Sequence, residues 1–241
     1  MMAVATSVDL LAIGPHPDDI EIGMGGTVAK HAAQGVRVGL CDLTAGEMGS
    51  NGTVEERLAE SEAARAVLGA AWRVNLRLPD RAIGRDPAHV RAVASLVRLA
   101  RPRVVAIPYW SDRHPDHVAA SRLLTESVFS AGLRRYEAEG EAWKPGWVCH
   151  YFINDSAEPS FVVDVSSQYD VKRRALAAHL TQFTPAGTDA VPTRLTSSRF
   201  QQLIESRDAQ FGALAGVAFA EGFVVRQPVV RPDLLPEWNA R

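Results

Sequence analysis

Residues 8–19 read VDLLAIGPHPDD, an apolar-rich run that stops at Gly14-Pro15 and opens into a histidine and two adjacent aspartates. A short apolar run closed by Gly-Pro is the pattern of a buried strand; a helix needs ten residues or more. Outward from this segment, strand and helix periods alternate. Residues 25–34 carry small and apolar side chains at helical spacing, with Gly35 as the stop. Residues 36–43 (VRVGLCDL) read as a second strand. Residues 55–68 read as a helix, with Thr53 as N-cap, Glu56 three positions on and Gly69 just past the end. A third strand over 72–76, a helix over 87–100, a fourth strand over 103–108 (RVVAIP) and a helix over 115–129 complete the first half.

This alternation predicts an α/β fold, a Rossmann-like, mainly parallel sheet with helices on both faces. In such sheets ligands collect beyond the carboxyl ends of the strands, so the C-terminal edge is the expected active-site edge. The last third changes rhythm, with strands expected over 147–153, 161–165 and 217–225 and helices over 167–179 and 197–215. Residues 184–196, with two prolines and a glycine, form a loop long enough to carry function. No Ser/Gly-rich linker or internal repeat divides the chain, so it is read as a single domain over 1–241.

Composition removes several classes of protein. The 241 residues are 46% hydrophobic and 22% charged, which excludes disorder. Lys plus Arg is 26 against 28 Asp plus Glu, a net charge of −2 that offers no field for a nucleic-acid backbone. No apolar run approaches the roughly 18–20 residues that span a bilayer, and the N-terminus lacks the basic region of a signal peptide. A cytoplasmic protein with no membrane partner is expected. Two cysteines a hundred residues apart exclude a disulfide scaffold and a thiolate zinc cage. Any metal here must rest on imidazole and carboxylate, for which there are seven histidines.

Two short segments gather the chemistry. His16-Pro17-Asp18-Asp19 follows the first strand, and Asp112-Arg113-His114-Pro115-Asp116-His117 follows the fourth. Both open on the same sheet edge, bringing three histidines and four aspartates to one rim. A catalytic zinc takes three nitrogen or oxygen ligands and keeps a place for water. His16, Asp19 and His117 would supply that set, while Asp18 faces the water as general base. His114, one turn before His117, would act as an imidazolium held by a carboxylate such as Asp116, stabilising an oxyanion or protonating the leaving amine. Either segment alone is also ordinary turn and cap chemistry; two on one rim favour a metal site.

The paired HPDD and HPDH segments resemble the signatures of the PIG-L/LmbE-like zinc deacetylases, which remove acetyl groups from N-acetylglucosamine derivatives. The resemblance implies a Rossmann-like fold, zinc on His16, Asp19 and His117, Asp18 as base and His114 as the oxyanion-stabilising histidine. Further stretches, residues 43–53 with Arg57, Leu78-Pro79-Asp80-Arg81, His179 with Gln182-Phe183, and Ala220-Glu221-Gly222-Phe223, are similar to the branch acting on N-acetylglucosaminyl malate in bacillithiol biosynthesis. Asp112 departs from the mycothiol-pathway enzymes, which carry an aromatic there. A homo-oligomer, a hexamer among the options, is implied by the resemblance alone.

The loop over 46–53 is rich in glycine and short polar groups, and Ser50 and Asn51 can bond sugar hydroxyls. A malate aglycone would bring two carboxylates, for which Arg57, Arg81 and Arg113 are candidate forks. Fe2+, Mn2+ or Co2+ suit the same donors as Zn2+. The rival readings are deacetylation of another N-acetylglucosamine derivative (an antibiotic, a mycothiol-type conjugate or a chitooligosaccharide), a non-catalytic metal- or sugar-binding module, and a dinucleotide enzyme. The last lacks a glycine fingerprint, and no P-loop is present. Of the other histidines, His31 and His89 read as surface residues, His150 as a core histidine and His179 as a helix end. The five tryptophans, Trp238 included, read as packing or surface anchors.

Overall fold

The computed structural model describes residues 6–185, 188 and 190–230; Trp238 lies outside them. Strands β1 (Leu10–Gly14), β2 (Val38–Asp42), β3 (Trp72–Asn75), β4 (Val104–Pro108) and β5 (Trp147–Tyr151) pair in parallel, and β6 (Phe161–Asp164) and β7 (Ala220–Val224) join antiparallel. The order across the seven-stranded sheet is β3-β2-β1-β4-β5-β7-β6. The chain thus reverses direction of growth at β1, with β2 on one side and β4 on the other, and the crevice beyond β1 and β4 is the place such sheets put ligands. The mainly parallel α/β architecture read from the sequence is present.

Alternation along the strands fills both faces. Leu11 and Ile13 of β1 join one apolar cluster with α3 (Pro87–Ala100) and α4 (Pro115–Ala131). Leu10 and Ala12 join another with α1 (Asp19–Ala33) and α2 (Val54–Leu68). A sheet covered on both faces explains why its strands read as continuous apolar runs. The expected Thr53 capping box and left-handed Gly69 are both formed on α2. No helix among the described residues is long and apolar enough to cross a membrane.

The main departure is α1, which begins at Asp19, six residues before the helix expected from Gly25. It is two helical pieces joined at Met24 (φ −150°, ψ 24°). Arg207, on α7 (Ser198–Ala215), which follows the single turn α6 (Leu180–Phe183), donates to the Ile22 carbonyl at 2.7 Å and so ends the first piece. Glu221 accepts from the Gly26 and Thr27 amides at 2.9 and 2.6 Å and so begins the second. Lys172, on α5 (Tyr169–Ala177), bridges Glu221 and Asp208 with no exposure to solvent. At Gly23 a side chain would drive into the Tyr151 ring and the Phe152 carbonyl, so only glycine lets the first piece sit this close to β5.

Candidate active site

The first piece of α1 exists to present two carboxylates. β1 ends at Gly14, the chain turns through His16-Pro17, and Asp18 takes a left-handed φ of 122° before Asp19 starts the helix. Such a conformation is strained for any residue but glycine, by about 1–3 kcal/mol. It turns adjacent side chains to different tasks. Asp19 Oδ2 lies 3.0 Å from His16 Nδ1 and 3.4 Å from His117 Nε2. Asp18 is instead 3.4 Å from the Arg57 guanidinium. Because β1 and β4 are neighbours in register, α4 delivers its own histidines to the same point. The His16 ring stands 5.0 Å from that of His114 and 5.6 Å from that of His117.

His16, Asp19 and His117 each turn one nitrogen or oxygen toward a common point, all within 4.8 Å of one another. Asp112 holds His117 through Nδ1 at 3.1 Å, leaving Nε2 as the free donor atom, the usual support for a metal-bound imidazole. Asp112 itself accepts from the His114 and Asn154 amides at 2.7 and 3.0 Å. Two imidazoles and a carboxylate with an orienting second carboxylate suit a divalent cation such as zinc.

Electrostatics separate the two adjacent aspartates. Burial pushes Asp18 up to about 6, with the Arg57 cation pulling the other way and Asp19 adding to the rise. Burial would also raise Asp19, but the His117 and His16 rings outweigh it and hold the carboxyl well below its ordinary value. His16 is held well above the usual imidazole range because, against burial, it faces Asp116, Asp19 and Asp80. His117 reaches about 9, Asp19 and Asp112 overcoming burial. These are the protons that a bound metal displaces.

His114 requires a correction. It is the N-cap of α4, and its Nδ1 accepts the Asp116 amide hydrogen at 3.2 Å, so that nitrogen carries no proton. Burial lowers its pKa, and the neighbouring His117 and His16 lower it further. The ring is a neutral imidazole with Nε2–H free to donate, not an imidazolium held by Asp116. The Asp116 carboxylate is occupied elsewhere: it accepts from the Arg81 amide and guanidinium at 3.2 and 3.0 Å and lies 3.4 Å from His16 Nε2.

The five candidate substrate contacts divide. Ser50, Arg81 and Arg113 line a cleft of about 320 Å3 with the histidines and Asp18. Arg113 is exposed at its mouth. Arg57 also lines the cleft but is buried, its guanidinium donating to the Gly46 and Pro17 carbonyls at 2.9 and 3.0 Å. It is therefore no open fork for a substrate carboxylate. Gly46 (φ 68°) must be glycine, since a Cβ would strike that guanidinium. Asn51 is not in the cleft: its side chain clamps Val191 through two 2.8 Å bonds, because the loop over 190–197 folds down across it.

Several cleft residues escaped sequence reasoning. Asp80 bonds His16 Nε2 at 3.3 Å and takes the Met48 amide at 3.2 Å; Arg194 and Asn154 line the wall. Asp80 sits in the Leu78–Arg81 stretch, but no spacing signals that it reaches His16. His179 does stand at a helix end, as read, and is buried there 3.5 Å from Glu21. His89 is buried too, accepting the Gly84 amide, so its surface reading is corrected. His31 is half-buried on α1, and His150 is a core histidine against the Pro108 carbonyl.

Residues 11–128 match the family model described as GlcNAc-PI de-N-acetylase, PIG-L. A diacetylchitobiose deacetylase of Thermococcus kodakarensis is 31% identical over 186 residues, 72% of this chain and 70% of its own. The chain belongs to the PIG-L family. Membership places it among N-deacetylases, hydrolases of amide bonds. A 1D-myo-inositol 2-acetamido-2-deoxy-alpha-D-glucopyranoside deacetylase of Rhodococcus opacus is 29% identical over 245 residues, 75% of this chain and 84% of its own. Among solved structures, a conserved protein of Thermus thermophilus superposes with a TM-score of 0.87 at 39% identity, covering 97% of this chain and all of the other.

Proposed function

We propose that the cleft hydrolyses the acetamide of N-acetylglucosaminyl L-malate, releasing acetate and glucosaminyl malate, with Asp18 as general base beside a divalent metal held by His16, Asp19 and His117. One observation carries the reading: Asp18 is a buried carboxylate, raised to about 6, that lines the same cleft next to Asp19 without belonging to the donor set. A site that only binds metal or sugar has no use for such a base. The metal, read as Zn2+ with Fe2+, Mn2+ or Co2+ as substitutes, would supply Lewis acidity and acidify a water. Asp18 takes the proton of the attacking water on a carboxylate oxygen. The His114 Nε2–H donates a hydrogen bond to the oxygen that gains charge as the tetrahedral centre forms. Asp18, now protonated, returns its proton to the amine as the C–N bond breaks.

The malate conjugate is favoured because two arginines at the mouth, Arg113 and Arg194, are exposed and Arg81 stands beside them. A neutral chitooligosaccharide offers such a rim hydroxyls and amides but no opposite charge. A single catalytic domain, a homo-oligomer and a cytoplasmic setting belong to the same reading. The test is metal analysis of the purified protein with free amine measured from N-acetylglucosaminyl malate, diacetylchitobiose and N-acetylglucosamine. The expected result is metal near one per chain and a kcat/KM highest for the malate conjugate. Equal rates on all three would reject the malate assignment, and no amine from any would reject deacetylation.

A further inference from the structure

A second cavity, of about 470 Å3, lies on the α1 face of the sheet at the opposite end of the strands. It is reached at Leu10, Val104 and Trp147, the amino ends of β1, β4 and β5, whereas the cleft lies beyond their carboxyl ends. Its volume falls within the range of small-molecule sites. One wall is a row of near-parallel rings: Trp147 and Phe161 are 5.1 Å apart at 21°, Phe161 and Phe223 5.4 Å apart at 13°. Met24 and Ala106 close it with fully buried apolar side chains.

The lining is mainly apolar, and of its inner polar groups the His31 ring is bonded to the Thr27 carbonyl at 2.8 Å through Nδ1, while the Thr27 hydroxyl is left over. Thr27 is 3% exposed, lines the cavity, and its hydroxyl has no hydrogen-bond partner. The break in α1 accounts for the orphan. A threonine within a helix ordinarily bonds the carbonyl four residues back, but the backbone at Met24 is not helical and the Thr27 amide is bonded to Glu221 instead. A water is a poor occupant, because it needs two to four polar partners and this lining is mainly apolar. At the rim Asp9 and Arg103 pair with each other at 3.7 Å, so the site offers no net charge to a ligand.

We propose that this cavity binds an uncharged, flat aromatic molecule bearing one hydrogen-bonding oxygen, its ring against Trp147, Phe161 and Phe223 and its oxygen on the Thr27 hydroxyl. The proposal is independent of the deacetylase reading, since it shares no residue with the cleft. The test is isothermal calorimetry with 2-naphthol and with naphthalene on the full chain, on Thr27→Val and on Val163→Trp. Val163 lines the cavity and is half-buried, so a larger side chain there fills the space. Saturable 2-naphthol binding at one site per chain is expected, weakened about fivefold in Thr27→Val as one hydrogen bond is lost. Naphthalene should bind both proteins alike, and Val163→Trp should bind neither probe. No saturable binding to the native chain overturns the proposal, as does an unchanged 2-naphthol affinity in Thr27→Val. Full binding by a folded Val163→Trp places the probe elsewhere and overturns it too. Should Val163→Trp fail to fold, the Thr27→Val pair of titrations decides alone.

Discussion

Asp18 concentrates the chemistry and its cost in one residue. Its left-handed backbone is strained and its burial opposes an ionised side chain, and the surrounding chain over-determines it through Arg57 and the start of α1. Asp18→Ala is expected to keep its metal, by atomic absorption, while losing about 10²–10⁴ in kcat. His16→Ala should lose the metal itself. Asp18 is raised to about 6 from an ordinary 3.8, so the folded state ionises it less readily than the unfolded state. Above about pH 6 the ionised carboxylate therefore costs stability; below about pH 4 it is protonated in both states and costs nothing. In metal-free protein, Asp18→Asn should stabilise by about 1–3 kcal/mol at pH 7.5 in urea unfolding, the gain fading to zero by about pH 4. A gain that instead grows on acidification would contradict the assignment. At this scale the sequence told much about which side chains matter. It did not tell their protonation: His114 reads as a ready imidazolium until its Nδ1 is seen to cap α4.

Among the elements, α1 is the one the periodicity misplaced. Its second half is visible in the small and apolar spacing over 25–34, but its first half starts on the second of two adjacent aspartates, directly after His-Pro turn chemistry, and reads as loop. What makes that half helical is Arg207 closing it and Glu221 opening the next piece, nearly two hundred residues away. A local pattern cannot report such partners. The same support is a vulnerability. Lys172 and Arg207 together balance the buried Asp208 and Glu221, and Lys172 bonds both, so Lys172→Met should leave uncompensated charge and destabilise by about 3–5 kcal/mol in urea unfolding. By contrast Thr53→Ala, which removes an exposed cap from α2, should cost about 1 kcal/mol. A Lys172→Met protein as stable as the native chain would show that the triad is not what holds the break at Met24. The helices α3 and α4 were legible almost to the residue, because Asp86, Pro87, His114 and Pro115 are local start signals.

For the whole molecule, specificity is a matter of loops meeting across the sheet edge. Arg113 comes from the β4–α4 loop and Arg194 from the segment before α7, and both reach the mouth of one cleft. If they read an acidic aglycone, Arg113→Ala and Arg194→Ala should each raise KM for N-acetylglucosaminyl malate about three- to tenfold with kcat kept. Rates on N-acetylglucosamine should not change, and raised salt should narrow the difference between substrates. The sequence by itself determined the alternation of strand and helix, the edge on which ligands gather in such sheets, and that His16, Asp18, Asp19 and His117 fall on that edge. Those follow from periodicity and spacing, which are properties of neighbours along the chain. Only the tertiary structure decided that Asn51 clamps a loop, that Arg57 is spent on backbone carbonyls beside Asp18, that Asp80 reaches His16, and that Asp112 steadies His117. Each of these depends on which buried polar group another segment leaves unpaired, and burial is settled when distant segments pack together.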